Sequence, residues 1–97
     1  MMKTLGNIKT LLKKHKPQLC AKYPIVSLAV FGSYSRNEQT NTSDVDILVD
    51  FSAPIGIKFI DLADDLEQIL GKNVDLVSKK GIKEPYFNAI KSDLLYV

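Results

Sequence analysis

The sequence predicts an α/β or α+β fold in which a small sheet is covered on one face by helices, and three observations carry that expectation. Apolar residues recur at helical spacing through residues 5–19 and again through residues 57–70. An apolar, β-branched run fills residues 25–31 and closes on Gly32. Residues 44–51 alternate, with Val45, Ile47, Val49 and Phe51 on one side and Asp44, Asp46, Leu48 and Asp50 on the other. Periods near 3.6 mark helices and a period of 2 marks a strand. Interleaved helices and strands imply helices packed on a sheet. The 97 residues are read as one compact domain, 1–97, being too few for two.

In chain order, Leu5, Ile8, Leu11, Leu12, His15 and Leu19 form one stripe of an opening helix, with lysines on the other face. Pro17 removes a hydrogen bond and crowds the preceding turn, so the helix is expected either to end near Lys16 or to kink and restart. His15, the only histidine, is read as a semi-buried helix residue. Cys20, the only cysteine, is read as a small packed side chain. The strand over residues 25–31 leads through Gly32-Ser33-Tyr34-Ser35-Arg36, read as a strand-to-helix turn opening a short helix. Residues 37–43 carry no large apolar side chain and are expected to be an exposed loop. After the alternating strand, Ile57, Ile60, Ala63, Leu66, Ile69 and Leu70 give a second helical stripe, stopped by Gly71. Val74-Asp75-Leu76-Val77 reads as a third strand. Tyr86, Ala89 and Ile90 suggest a last helix, and residues 94–97 an apolar tail suited to an interface.

Composition narrows the function classes. Hydrophobic residues make up 45% and charged residues 25%, the balance of a globular protein. A net charge of +2, with dispersed lysines and no interleaved aromatics, does not point to nucleic acid, and no direct nucleic-acid binding is expected. One cysteine permits no internal disulfide, which suits a reducing compartment. No segment approaches the roughly 20 apolar residues that span a bilayer, and the opening residues lack a signal-peptide run. A cytoplasmic protein without membrane contact is expected.

The acidic strand carries the chemistry. Aspartate is disfavoured in strands, and two on one face repel each other. Asp44 and Asp46 are rooted about 7 Å apart by the strand rise and can converge on a common cation. Mg²⁺ prefers oxygen ligands and is typically held by one or two carboxylates plus substrate phosphates. Asp75, flanked by core-facing Val74 and Leu76, is expected on the same sheet face if its strand is a neighbour. Three such carboxylates can hold two ions, with Asp75 helping to deprotonate an attacking hydroxyl. Gly32-Ser33, at the end of a strand, lets phosphate approach the backbone closely. Arg36 is either a further phosphate contact or a surface arginine. Each piece alone is ordinary; the three in this order are not.

The run Phe31-Gly32-Ser33-Tyr34-Ser35-Arg36, ten residues between Ser33 and Asp44, and then Asp44-Val45-Asp46-Ile47, resembles the signature of the DNA-polymerase-β-like nucleotidyltransferases. In length, and in the element Val74-Asp75-Leu76-Val77, the chain is similar to the minimal nucleotidyltransferases, or MNT proteins. The resemblance implies a small mixed β-sheet flanked by helices, with ATP as substrate and Mg²⁺, two ions in number, as cofactor. It implies metal and catalytic carboxylates at Asp44, Asp46 and Asp75, and nucleotide contacts at Gly32, Ser33, Arg36 and Ser43. It also implies a role as the antitoxin of a HEPN-type toxin, neutralising it by binding and by transferring AMP to one of its tyrosines. The alternative is a binding antitoxin without catalysis; transfer to a small molecule is a third reading, which lacks a second domain to hold that substrate. One departure is that Asn37-Glu38-Gln39 stands where family members often carry a glycine, which implies a stiffer loop.

Overall fold

The computed structural model describes residues 4–97. Met1, Met2 and Lys3, part of the opening segment read above for its lack of a leader, lie outside the described residues. Helix α1 spans Leu5–Lys22 and begins in a reciprocal cap. Thr4 Oγ1 accepts from the Asn7 backbone N–H at 3.2 Å, and Asn7 Oδ1 accepts from the Thr4 N–H at 3.0 Å. Two of the orphan donors of the first turn are satisfied in this way. The helix runs through Pro17 as one element, so it neither ends near Lys16 nor restarts. Pro17 and Lys13, whose carbonyl loses its partner, are both exposed, so water can take the place of the missing bond. Ile8, Leu12 and Leu19 are buried and His15 is half-buried, as its spacing predicted. Cys20 is not packed but exposed, because it falls one residue past the buried stripe.

Strand β1 (Ile25–Phe31) pairs antiparallel with β2 (Val45–Phe51), and β2 pairs parallel with β3 (Val74–Ser78). Helix α2 (Lys58–Leu70) connects β2 to β3 and ends on Gly71 at φ 65°, a left-handed cap suited to glycine. Its buried stripe is Leu62, Leu66 and Leu70. Ile57 and Ile60, assigned to that stripe from sequence, are instead 86% and 65% exposed. The error is one of phase: Phe59 and Leu62 open the inward face, and the two isoleucines fall on the outer side. After β3 come α3 (Glu84–Ile90), a single 3₁₀ turn at Lys91–Asp93, and β4 (Leu95–Tyr96). The expected apolar tail is thus a short edge strand on β1, with the Val97 N–H donating to Leu28 at 3.0 Å. Lys16 Nζ donates to the Val97 carbonyl at 2.7 Å.

The sheet order is β3-β2-β1-β4. On its first face, Leu28, Val30, Val45, Ile47, Val49 and Phe51 join the buried residues of α1 and α2 in one core. Tyr23 Oη and Lys22 Nζ donate to Asp65 Oδ2 at 2.7 and 2.9 Å, tying the two helices together. The second face is covered in part rather than left bare, since Ala29, Phe31 and Leu48 are buried there. Asp46 lies on that second face, one step along the strand from Leu48. No helix of the described residues is long and apolar enough to cross a membrane.

Candidate active site

The alternation of β2 places Asp46 on the second face, and the parallel register sets Asp75 directly beside it. Asp44 precedes the strand and is exposed, at the open end of the same face. The sequence expectation that β3 neighbours β2 and turns Asp75 towards the β2 carboxylates therefore holds. The backbone across from Asp46 in β1 is Phe31, and the next residue is Gly32.

Two features favour glycine at position 32. Its φ is 76°, a conformation side-chain-bearing residues rarely adopt. A Cβ built there would overlap the Asp46 Oδ2 atom and lie 3.1 Å from Cγ. The Asp46 carboxylate thus rests against bare backbone. After Gly32 the chain makes a succession of turns rather than the expected short helix. The Arg36 N–H donates to Gly32 at 3.1 Å, Asn37 to Tyr34 at 3.2 Å and Glu38 to Ser33 at 2.8 Å, three different spans that no single helix type contains. The N–H groups of Ser33, Tyr34 and Ser35 donate to nothing among the described residues, which leaves a run of free donors beside the carboxylates. Such a run suits a phosphate. Asn37 takes φ 59°, a region asparagine tolerates, so the loop turns without the glycine the sequence lacks.

Tyr34 points from this turn into the core, fully buried, with no partner for its hydroxyl. An unsatisfied buried hydroxyl costs about 1–3 kcal/mol. Tyr34→Phe is therefore expected to raise unfolding stability by about 1 kcal/mol, read as a higher urea midpoint at unchanged slope; a lower midpoint would show that the hydroxyl has a partner.

The electrostatics single out Asp46. Burial, then Asp75, then Asp44 push its pKa up to about 6, while Arg36 opposes them. Arg36 itself is held by two carboxylates, with Nε to Glu38 and Nη1 to Asp93 both at 2.8 Å. As a phosphate contact it would have to leave one of them. Its stated alternative, a surface arginine, is also incomplete, because it clips the Gly32 turn to the 3₁₀ turn at Asp93. Ser43 Oγ accepts from the Thr40 N–H at 2.8 Å, closing the turn that delivers Asp44. Ser43 and Asp44 also line an open cleft of about 550 Å³ with Glu67, Lys72 and Asn73, adjoining the carboxylates but not containing Asp46 or Asp75.

Among the described residues, no three acidic, imidazole or thiol side chains are gathered closely enough to hold a metal ion by themselves. The preformed unit is the Asp46–Asp75 pair, with Asp44 at its margin. That arrangement fits Mg²⁺, which takes hard oxygens, needs only one or two carboxylates and completes its shell with water and phosphate. A crowded carboxylate with raised proton affinity is also what a divalent cation relieves. The arrangement can hold a triphosphate by free N–H donors at one end and place three carboxylates beside it.

Residues 12–95 match the profile of the nucleotidyltransferase domain family. A chain of Methanocaldococcus jannaschii provisionally named a protein adenylyltransferase is 53% identical over 98 residues, covering 99% of this chain and all of that one. The protein adenylyltransferase MntA of Thermococcus cleftensis is 42% identical, covering 99% of this chain and 98% of its own. Among solved structures, one provisionally described as a minimal nucleotidyltransferase superposes with TM-score 0.74 at 31% identity, covering 91% and 93% of the two chains. A toxin–antitoxin complex with AMP-PNP contains a chain at TM-score 0.58 and 30% identity, covering 81% and 60%. A complex of tri-AMPylated Shewanella oneidensis HEPN toxin with MNT antitoxin shares the fold at TM-score 0.69 and 23% identity, covering 92% and 70%.

Proposed function

Given that the chain belongs to the nucleotidyltransferase family and is an enzyme of that class, we propose that it is a Mg²⁺-dependent protein adenylyltransferase that transfers AMP from ATP to a tyrosine of a HEPN-type toxin and so acts as its antitoxin. The observation that carries this reading is the Asp46 carboxylate resting on the bare backbone of Gly32 with Asp75 beside it across the ladder. The names of the relatives and the toxin–antitoxin structure with AMP-PNP support the reading of a protein acceptor and an adenine nucleotide.

In this scheme the N–H groups of Ser33, Tyr34 and Ser35 bind phosphate oxygens, and the Ser33 hydroxyl adds a further donor. Asp44, Asp46 and Asp75 would hold Mg²⁺, with enough carboxylate oxygens for two ions. When bound, Mg²⁺ supplies charge neutralisation for the triphosphate and polarises the attacking hydroxyl. Asp75 receives the hydroxyl proton. The tyrosyl oxygen attacks the α-phosphorus in line, a new P–O bond forms, and the bond to the β-phosphate oxygen breaks with its electron pair, releasing pyrophosphate. Reaction of this kind depends on alignment and electrostatics more than on covalent help from the protein. Ser43 shapes the turn that presents Asp44.

The test is transfer of label from α-³²P-ATP with Mg²⁺ to the co-purified or neighbouring-gene partner, beside Asp44→Asn. Label on the partner with wild type alone is expected. A stable complex with no label from either protein would leave an antitoxin that acts by contact only.

A further inference from the structure

The two edges of the sheet differ in length. β4 and β3 both lack an outer neighbour, but β4 is two residues long whereas β3 runs for five. The Asn73 carbonyl accepts from Val45 at 2.9 Å and the Lys79 N–H donates to Val49 at 2.8 Å. With Val45 beside Val74, Ile47 beside Leu76 and Val49 beside Ser78, this parallel pattern engages the N–H and C=O of Asp75 and Val77 with β2. Those of Val74, Leu76 and Ser78 point outward. The Val74 N–H is capped by Glu67 Oε2 at 2.9 Å, and the Ser78 carbonyl accepts from Gly81 at 3.1 Å. Both groups of Leu76, the Val74 carbonyl and the Ser78 N–H meet no partner among the described residues. The ends of this edge are closed and its middle is open.

We infer that the acceptor polypeptide docks as an extended strand on the free edge of β3, with its hydroxyl-bearing residue beside Asp75. The inference rests on the adenylyl-transfer reading above. An added strand lies about 4.8 Å from β3, and its residue facing Asp75 projects on the same sheet face as Asp75 and Asp46. Because Asp75 turns its own N–H and C=O to β2, the facing residue occupies a non-hydrogen-bonded position. In an antiparallel pairing its Cα lies about 4.5 Å from that of Asp75. To reach the Asp46–Asp75 pair its side chain must extend inward across Asp75 from the new edge. Serine and threonine are too short for that span and tyrosine is long enough, so the edge selects the acceptor by length. Main-chain bonds supply the affinity, and one face of the acceptor supplies the choice of residue. The open middle of β3 lies one residue from Asp75, which ties the docking edge to the site itself.

The probe is the peptide acetyl-Lys-Thr-Val-Tyr-Val-Thr-Lys-amide, with ATP and Mg²⁺, together with two derivatives N-methylated on both valines or on the tyrosine. Amide exchange in the protein is followed by NMR and AMP on the peptide by mass. The peptide is expected to slow exchange at Leu76 and Ser78 at least tenfold and to gain AMP on tyrosine. One N-methyl pattern should abolish both effects and the other spare them, the valines for an antiparallel pairing and the tyrosine for a parallel one. Leu76→Pro removes one outward N–H and leaves the β2 ladder intact, so transfer should fall at least tenfold in a folded protein. If that variant does not fold, the N-methyl pair carries the comparison. Unslowed exchange, an equal response to both N-methyl patterns, or slowing without peptide that rises with protein concentration (a second copy on the edge) overturns the inference. Slowed exchange with the expected N-methyl pattern but no AMP on the peptide or on any partner protein would retain the docking edge and overturn adenylyl transfer.

Discussion

Asp46→Asn is expected to abolish AMP transfer and, in the metal-free protein, to make the fold more stable at neutral pH. The activity loss should be at least about 10²–10³-fold, the scale for removing one group aimed at developing charge. The stability gain follows from the raised pKa of Asp46, about 6 in the fold against 3.8 in the unfolded chain. Between those values the folded state holds a proton that the unfolded state has lost. Stability from this site is therefore greatest below the unfolded value and falls as pH rises through about 6. Asparagine carries no charge at any of these pH values and escapes the penalty. Because the carboxylate is only half-buried, solvent screening reduces the effect to about 1 kcal/mol, or about 5 °C in a domain of this size. Thermal unfolding at pH 4.5 and 7.5 checks it: the gain of the variant over wild type at pH 4.5 should be about a third of that at pH 7.5. Mg²⁺ with ATP should reverse the order by stabilising wild type alone. Equal midpoints at both pH values would mean that Asp46 is not crowded.

Gly32→Ala is expected to fail for two separable reasons. Alanine at φ 76° costs about 1–2 kcal/mol from the backbone alone. Its Cβ also takes the space of Asp46 Oδ2, so the carboxylate must turn away. A displacement near 1 Å at a reacting centre can cost about 10²-fold in rate. We expect label transfer to fall at least that far. The double variant Gly32→Ala with Asp46→Ala separates the causes, since removing the carboxylate should return part of the lost stability and none of the activity. If Gly32→Ala transfers AMP at the wild-type rate, the contact between residues 32 and 46 has no part in the reaction.

Much of this was legible from residue patterns, and the misses have physical reasons. The period-2 alternation over residues 44–51 and the flanking of Asp75 by Val74 and Leu76 placed the carboxylates on one face, because strand periodicity leaves no phase to choose. Helical phase is weaker. Ile57 and Ile60 fitted a stripe by spacing, yet Phe59 and Leu62 fitted one rotated from it and had the core to fill. Pro17 does not end the helix, and the bond it removes lies on an exposed face where water can replace it. That residues 94–97 form an edge strand was hidden because β4 pairs with a strand more than sixty positions earlier, which no local pattern announces. The ties of Arg36 to Glu38 and Asp93 were invisible for a related reason: Asp93 is distant in sequence. The only hint was the presence of acidic partners. Nor does any spacing show that Gly32 lies against Asp46, although glycine at that strand end was itself the signal.

The contact between Gly32 and Asp46 also bears on inheritance. Any side chain at position 32 overlaps the carboxylate at 46 where it now lies and makes it turn away. Lineages that keep the carboxylate in this position are therefore expected to keep glycine at position 32 as well.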